Sequence, residues 1–137
     1  MKTRVFEMTE GPNLVVKSRK SAVIFELEKD FKSNEYDFDF ELNEETFGEL
    51  LRYIEEVSNE SWTNIKPKEC NSFASDYDEY YDHKLDRNGY LSISNCLLRI
   101  KRPALESNRL YQFNKMKMQS FIYDFLKLVK ENGWIEE

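Results

Sequence analysis

Hydrophobic side chains recur at helical spacing in the segment that follows Asn43. The apolar positions lie three or four residues apart, which places them along one side of a helix. They are Phe47, Leu50, Leu51, Ile54 and Val57. Asn43 is a good N-cap residue, and the acidic residues Glu44 and Glu45 stand in the first turn, where the helix dipole favours anions. The pattern therefore predicts a helix that begins just after Asn43.

A second helix is predicted from about Lys115 to Glu131, again by apolar residues at helical spacing. Its stripe consists of Met118, Phe121, Ile122, Phe125, Leu128 and Val129. Asn114 supplies an N-cap, and Gly133 stands just beyond the end, where helices commonly terminate.

The segment from Glu35 to Leu42 alternates strictly between apolar and acidic residues, which is typical of a half-buried antiparallel strand. The side chains predicted to point inward are Tyr36, Phe38, Phe40 and Leu42. Those predicted to point outward are Glu35, Asp37, Asp39 and Glu41.

Further strands are predicted around turn sequences. In the first half they are Thr3 to Thr9 and Leu14 to Lys17, flanking Gly11-Pro12-Asn13, and Ser21 to Glu28. In the second half they are Tyr80 to Leu85 and Tyr90 to Ser94, flanking Asp86-Arg87-Asn88-Gly89, then Cys96 to Lys101 and Arg109 to Phe113.

These elements predict the α+β class: one domain over residues 1–137, with a mostly antiparallel sheet of about six to eight strands and two main helices packed on it. The two halves, 1–57 and 79–131, echo each other around a connecting segment 58–78, because each ends in strand, Asn and helix. Two interpretations stay open. The halves are two units of four strands and a helix, or strand–Asn–helix is merely a common way to start a helix.

The net charge of −6 is unevenly distributed. Ser21 to Val57 holds twelve acidic and three basic residues, whereas Asn95 to Lys117 holds six basic residues and one acidic. Local charge of this kind recruits partners. No apolar run approaches the roughly 18 residues of a membrane span, and the first residues do not resemble a secretion signal, so we expect a cytoplasmic protein.

Catalytic and cofactor signatures are missing from the sequence. The chain has one histidine, His83, and no glycine-rich phosphate loop, nucleophile elbow or zinc-protease motif. The acidic stretch from Asp76 to Asp86 does not fit a calcium loop, because Tyr81 and Arg87 stand where glycine and glutamate are required. Cys70 and Cys96 are expected to be free thiols in the cytoplasm. We therefore expect no enzyme activity, metal or cofactor.

The acidic row is the most distinctive predicted surface. Alternate residues of a strand lie about 6.6–6.8 Å apart on one face, so the carboxylates form a row. These carboxylates repel one another, and a basic partner would lower that repulsion. The predicted contact residues are Glu35, Asp37, Asp39, Glu41, Glu45 and Glu49. The alternative is that this face is only solvated and that its charges keep a sheet edge from aggregating.

Basic and aromatic residues suggest a different surface, suited to stacking bases and neutralising phosphates. Its candidates are Lys17, Arg19, Arg99, Lys101, Tyr80 and Tyr90, with Tyr111 nearby in sequence. Two successive units of four strands and a helix resemble the Whirly and Pur-alpha families, and Leu42 to Leu51 is similar to the helix start in small bacterial coactivator-like relatives. This resemblance implies binding of single-stranded DNA or RNA. The acidic strand departs from that pattern, because carboxylates repel phosphate.

The sequence thus favours a non-enzymatic acidic protein that docks on a basic partner protein and occludes it. An immunity protein that neutralises a toxin nuclease, or an inhibitor from a phage or mobile element that mimics nucleic acid, would act in this way. The alternative function is single-stranded nucleic-acid binding. A third interpretation is a structural subunit whose charges serve only solubility.

Overall fold

A computed structural model describes residues 2–8, 11–29, 31–67, 90–94, 96–102, 105 and 108–131. Its strands are β1 (Lys2–Phe6), β2 (Leu14–Arg19), β3 (Ala22–Leu27), β4 (Asp37–Glu41), β5 (Tyr90–Ser94), β6 (Leu97–Lys101) and β7 (Arg109–Phe113). Its helices are α1 (Glu44–Ser61), between β4 and β5, and α2 (Lys115–Glu131), after β7. The predicted α+β class is confirmed.

The strands form two antiparallel sheets. One has the order β1-β2-β3-β7 and the other the order β4-β6-β5. The strand before each helix therefore leaves the sheet of its own half: β4 joins β6 of the second half, and β7 joins β3 of the first half. Because each half contributes a strand to the sheet of the other, the two halves are interlocked.

Two pairs of local features recur in corresponding places of the halves. The β2–β3 and β5–β6 turns each contain a residue in the left-handed region, Ser21 with φ 62° and Cys96 with φ 58°. The N-caps also correspond, since the side chain of Asn43 accepts from the Thr46 amide and that of Asn114 from the Lys117 amide. Both N-caps were predicted from the sequence.

A single hydrophobic core joins the two sheets and both helices. The helices meet through Phe47 and Phe125, whose ring centroids lie 4.5 Å apart. Phe25 of β3, Phe113 of β7 and Phe121 of α2 form a second aromatic group, with centroid separations of 5.1 to 6.0 Å. Because this packing is continuous, the buried rings support the acidic strand and limit its movement.

The structure corrects several sequence-based expectations. Tyr36 was predicted to point inward but is 42% exposed, and the strand begins only at Asp37. Helix α1 continues to Ser61, so the first residues of the segment 58–78 are helical. The strand predicted from Tyr80 to Leu85 lies outside the described residues.

Neither of the described helices combines the length and the apolar character needed to cross a membrane.

An acidic edge strand as the candidate functional site

Strand β4 lies at an edge of the three-stranded sheet, where β6 is its neighbour. Its side chains alternate as predicted: Phe38 and Phe40 are buried, while Asp37, Asp39 and Glu41 are exposed. The buried rings fix the register of the strand, because a slip by one residue would move all of them to solvent and place the carboxylates in the core. Three predicted site residues therefore share one outward face.

The segment that precedes β4 is held by Arg102, which directly follows β6. The Arg102 backbone N–H donates to the Tyr36 carbonyl (2.8 Å), and its Nη2 donates to the Ser33 carbonyl (2.7 Å). The guanidinium lies 5.3 Å from the centre of the Phe38 ring, and only 3% of the residue is exposed. Glu35 is outside the strand, but these contacts tether the residues on either side of it.

A groove of about 330 Å³ brings the acidic residues together. Its walls include the carboxylate-bearing residues Glu35, Asp37, Asp39 and Glu41, together with Gly11, Pro12 and Phe38. Gly11 adopts φ 78°, a conformation that glycine takes without steric cost. The loop between β1 and β2 thus contributes to the lining of the groove, which alternation within β4 alone did not reveal.

The chain itself neutralises part of the acidic row. Arg99 on β6 lies opposite Asp39, and its Nε donates to Asp39 Oδ1 at 2.9 Å. The hydrogen bond to Asp39, and then the negative charges of Asp39 and Asp37, raise the pKa of the Arg99 guanidinium. Lys101 lies opposite Asp37 in the same register, but no ion pair joins them among the described residues. Within the groove, Asp39 is the paired carboxylate.

The two predicted helix residues behave differently from each other. Glu49 forms an ion pair with Arg4 of β1, with 3.2 Å between Oε2 and Nη2. Glu45 is exposed in the first turn of α1, and neither residue lines the groove. Further along the helix, Glu60 accepts a hydrogen bond from Lys2 (2.9 Å), which raises the pKa of that lysine. The acids of α1 thus partly serve to hold β1 against the helix.

The residues of the predicted nucleic-acid surface are divided between the sheets. Lys17 and Arg19 lie on β2, and Lys17 pairs with Glu26 at 2.9 Å. Arg99 and Lys101 lie on β6, beside the acidic row. Tyr111 is fully buried and therefore offers no face to a base. Tyr90 begins β5, whereas Tyr80 lies outside the described residues.

The cross-strand arrangement of acid and base has a sequence signal that can be recognised afterwards. Strand β4 is Asp-Phe-Asp-Phe-Glu and β6 is Leu-Leu-Arg-Ile-Lys, so both alternate, with opposite charges on the polar face. Opposite charges on facing positions favour strand pairing. In the described part of the chain no three His, Cys, Asp or Glu side chains are grouped to hold a metal ion.

Comparisons with protein-family models, curated proteins and solved structures find no match to this chain.

Proposed function

We propose that this chain is a non-enzymatic binding protein of the cytoplasm that docks its acidic groove on a basic partner protein and occludes it. The observation that carries this proposal is the groove itself, which is lined by four carboxylate-bearing residues. Of these four, Asp39 alone forms an ion pair with another described residue. A toxin nuclease or another enzyme that handles nucleic acid presents a cationic surface of the required kind.

Electrostatics supports docking at this edge. Like charges in a row repel each other, and a cation placed between them gains attraction from more than one carboxylate. Phe38 and Phe40 keep the row in place, so the groove loses little conformational entropy when it is occupied. Because these carboxylates are exposed, they attract a basic protein over roughly a Debye length, about 8 Å at physiological salt, and raise its association rate.

Charge reversal on the groove tests the proposal. The double variant Asp37→Lys plus Glu41→Lys changes two exposed groove residues that have no ion pair among the described ones. Its control is Glu56→Lys plus Glu131→Lys, which alters the net charge equally on the helices and also removes the 3.7 Å ion pair of Glu56 with Lys2. We would measure binding to polylysine by fluorescence at low and moderate salt. Binding is expected to be lost in the first variant and retained in the control. Equal loss in both variants would show that net charge, and not the groove, binds the polycation.

The same proteins, immobilised for pull-down from cell extract, extend the test to natural partners. We expect the wild type and the helix control to retain the same basic proteins, and the groove variant to release them. If charge reversal leaves every partner bound, the groove is not the docking surface.

Single-stranded nucleic-acid binding is the alternative proposal, supported by the cations of β2 and β6. A labelled single-stranded oligonucleotide distinguishes it: tight binding that weakens steeply with salt favours the alternative. Reversal of Arg99 and Lys101 to glutamate would then abolish binding, whereas the docking proposal predicts no oligonucleotide binding even at low salt.

A further inference from the structure

On the side of β4 that faces away from β6, backbone groups have no hydrogen-bond partner among the described residues. In the ladder with β6, the Tyr36 carbonyl accepts from Arg102, and the Leu42 amide donates to Cys96. The residues of β4 that alternate with them, Phe38 and Phe40, share this orientation, because successive residues of a strand direct their N–H and C=O to opposite sides. Asp37, Asp39 and Glu41 therefore direct their amides and carbonyls away from β6, and no described residue pairs with them.

The open edge and the groove coincide. The three residues with outward backbone groups are among the residues that line the groove, together with Gly11 and Pro12. A chain entering there meets carboxylates and free hydrogen-bonding groups of the same residues at once. Natural edge strands are commonly protected by charge, and a complementary charge removes that protection.

We propose that the groove binds its partner by strand addition, taking an extended segment in which basic residues alternate with apolar ones and pairing it antiparallel with β4. This proposal rests on the docking function above and adds the partner's conformation and sequence pattern. Main-chain hydrogen bonds to Asp37, Asp39 and Glu41 extend the sheet, and the alternating side chains provide specificity.

The alternation follows from sheet geometry. A residue directly opposite Asp39 on the added strand lies on the same face as the carboxylate, so it is a lysine or an arginine. The next residue points to the other face, beside the rings of Phe38 and Phe40, so it is apolar. A second basic residue then lies about 6.6–6.8 Å further on, opposite Asp37 or Glu41.

Backbone methylation of a peptide probe tests the pairing. We would use a peptide of alternating lysine and valine, about seven residues long, and two derivatives that are N-methylated either at the lysines or at the valines. In an antiparallel pair, the residues opposite Asp37, Asp39 and Glu41 direct their N–H groups to β4, so methylation of the lysines removes those donors. Methylation of the valines alters the far edge of the peptide and leaves the charge unchanged.

We expect the lysine-methylated peptide to bind at least about tenfold more weakly than the valine-methylated one, since several hydrogen bonds are lost together. In amide hydrogen exchange, the unmodified peptide is expected to protect Asp37, Asp39 and Glu41, while Phe38 and Phe40 are already protected by β6. Equal binding of the two methylated peptides, with no new protection, would overturn strand addition.

The protein side offers a matched pair of variants. Asp39→Asn and Asp39→Pro both remove the negative charge and the ion pair with Arg99, but only proline loses the outward N–H, and proline is tolerated on an edge strand in that orientation. We expect the proline variant to bind the peptide several-fold more weakly, with thermal unfolding as the check on its fold. If the methylated peptides bind equally well and charge reversal still abolishes binding, docking holds and strand addition fails. If no lysine peptide binds at all, both proposals fail.

Discussion

Arg99 and Asp39 face each other across β6 and β4, and the guanidinium Nε donates a 2.9 Å hydrogen bond to the carboxylate Oδ1. The residues form a non-hydrogen-bonded pair in the ladder, the position at which facing side chains lie closest. Through this contact a cation of the chain occupies the centre of the row to which a partner's cation would bind.

Removal of Arg99 is expected to strengthen binding of a basic ligand. In Arg99→Gln the Asp39 carboxylate becomes available, and affinity for polylysine at low salt should rise by a factor of about five, because solvent screening keeps the contribution of one exposed charge small. The matched control is Arg52→Gln, which removes an exposed cation from α1. Titration by fluorescence measures both, and an equal gain in the control would assign the effect to net charge.

The same substitution should hardly alter stability. Both side chains of the pair are about half exposed or more, and solvent screens such pairs strongly. We expect the urea midpoint and the free energy of unfolding of Arg99→Gln to match those of the wild type within the error of the titration. A clear loss of stability would mean that the pair is needed for the fold, and that the gain in binding is not due to the freed carboxylate alone.

Ser61, the last residue of α1, attaches the helix to the β2–β3 turn. Its Oγ donates to the Arg19 carbonyl at 2.7 Å, and its own carbonyl accepts from the Ser21 amide at 3.1 Å. Ser61→Ala removes a hydroxyl donor that the Arg19 and Ala22 carbonyls share, so we expect a loss of about 1 kcal/mol. Ser94→Ala, at an exposed position of β5, should change stability by less than about 0.5 kcal/mol in the same urea titration.

The two N-caps provide a test of equivalence between the halves. Asn43→Ala and Asn114→Ala each remove a side-chain acceptor from a helix start, and each should cost about 1 kcal/mol. Aspartate at either position keeps the acceptor and should preserve stability. A cap that can be lost without any change in thermal unfolding would show that tertiary packing alone holds that helix start.

Cys96 gives the protein a pH dependence on the alkaline side. Burial, and then the charge of Glu44, raise the pKa of its thiol above the usual value. The thiolate is thus less stable in the folded chain than in the unfolded one, so stability falls as pH rises from the unfolded pKa through the folded pKa. In a Cys70→Ser background, alkylation by iodoacetamide should reach half its maximal rate at a higher pH than for a free cysteine peptide. If the rate of alkylation reached half its maximum at the same pH in the protein and in the peptide, the pKa of Cys96 would not be raised.

Several features of the fold follow from the sequence because they depend on neighbours along the chain. Helical spacing and the asparagines at 43 and 114 locate both helix starts. Alternation places Phe38 and Phe40 inside, and Asp37, Asp39 and Glu41 outside. The error at Tyr36 arises because the strand begins only at Asp37, so that alternation no longer decides which way the Tyr36 side chain points. The contact of Arg102 with Ser33 in this segment joins residues far apart in sequence, which alternation does not report.

Patterns along the chain are therefore enough to assign the buried and exposed faces of the strands, to locate the starts of the helices and to identify one strand as acidic. Tertiary contacts were needed to establish that β4 joins the sheet of the other half, that Arg99 binds Asp39, and that Arg4 binds Glu49. They were also needed to show that a loop from the first hairpin lines a groove beside the acids. Periodicity reports the geometry of residues that are close in sequence, whereas charge pairing and grooves depend on which distant strands become neighbours.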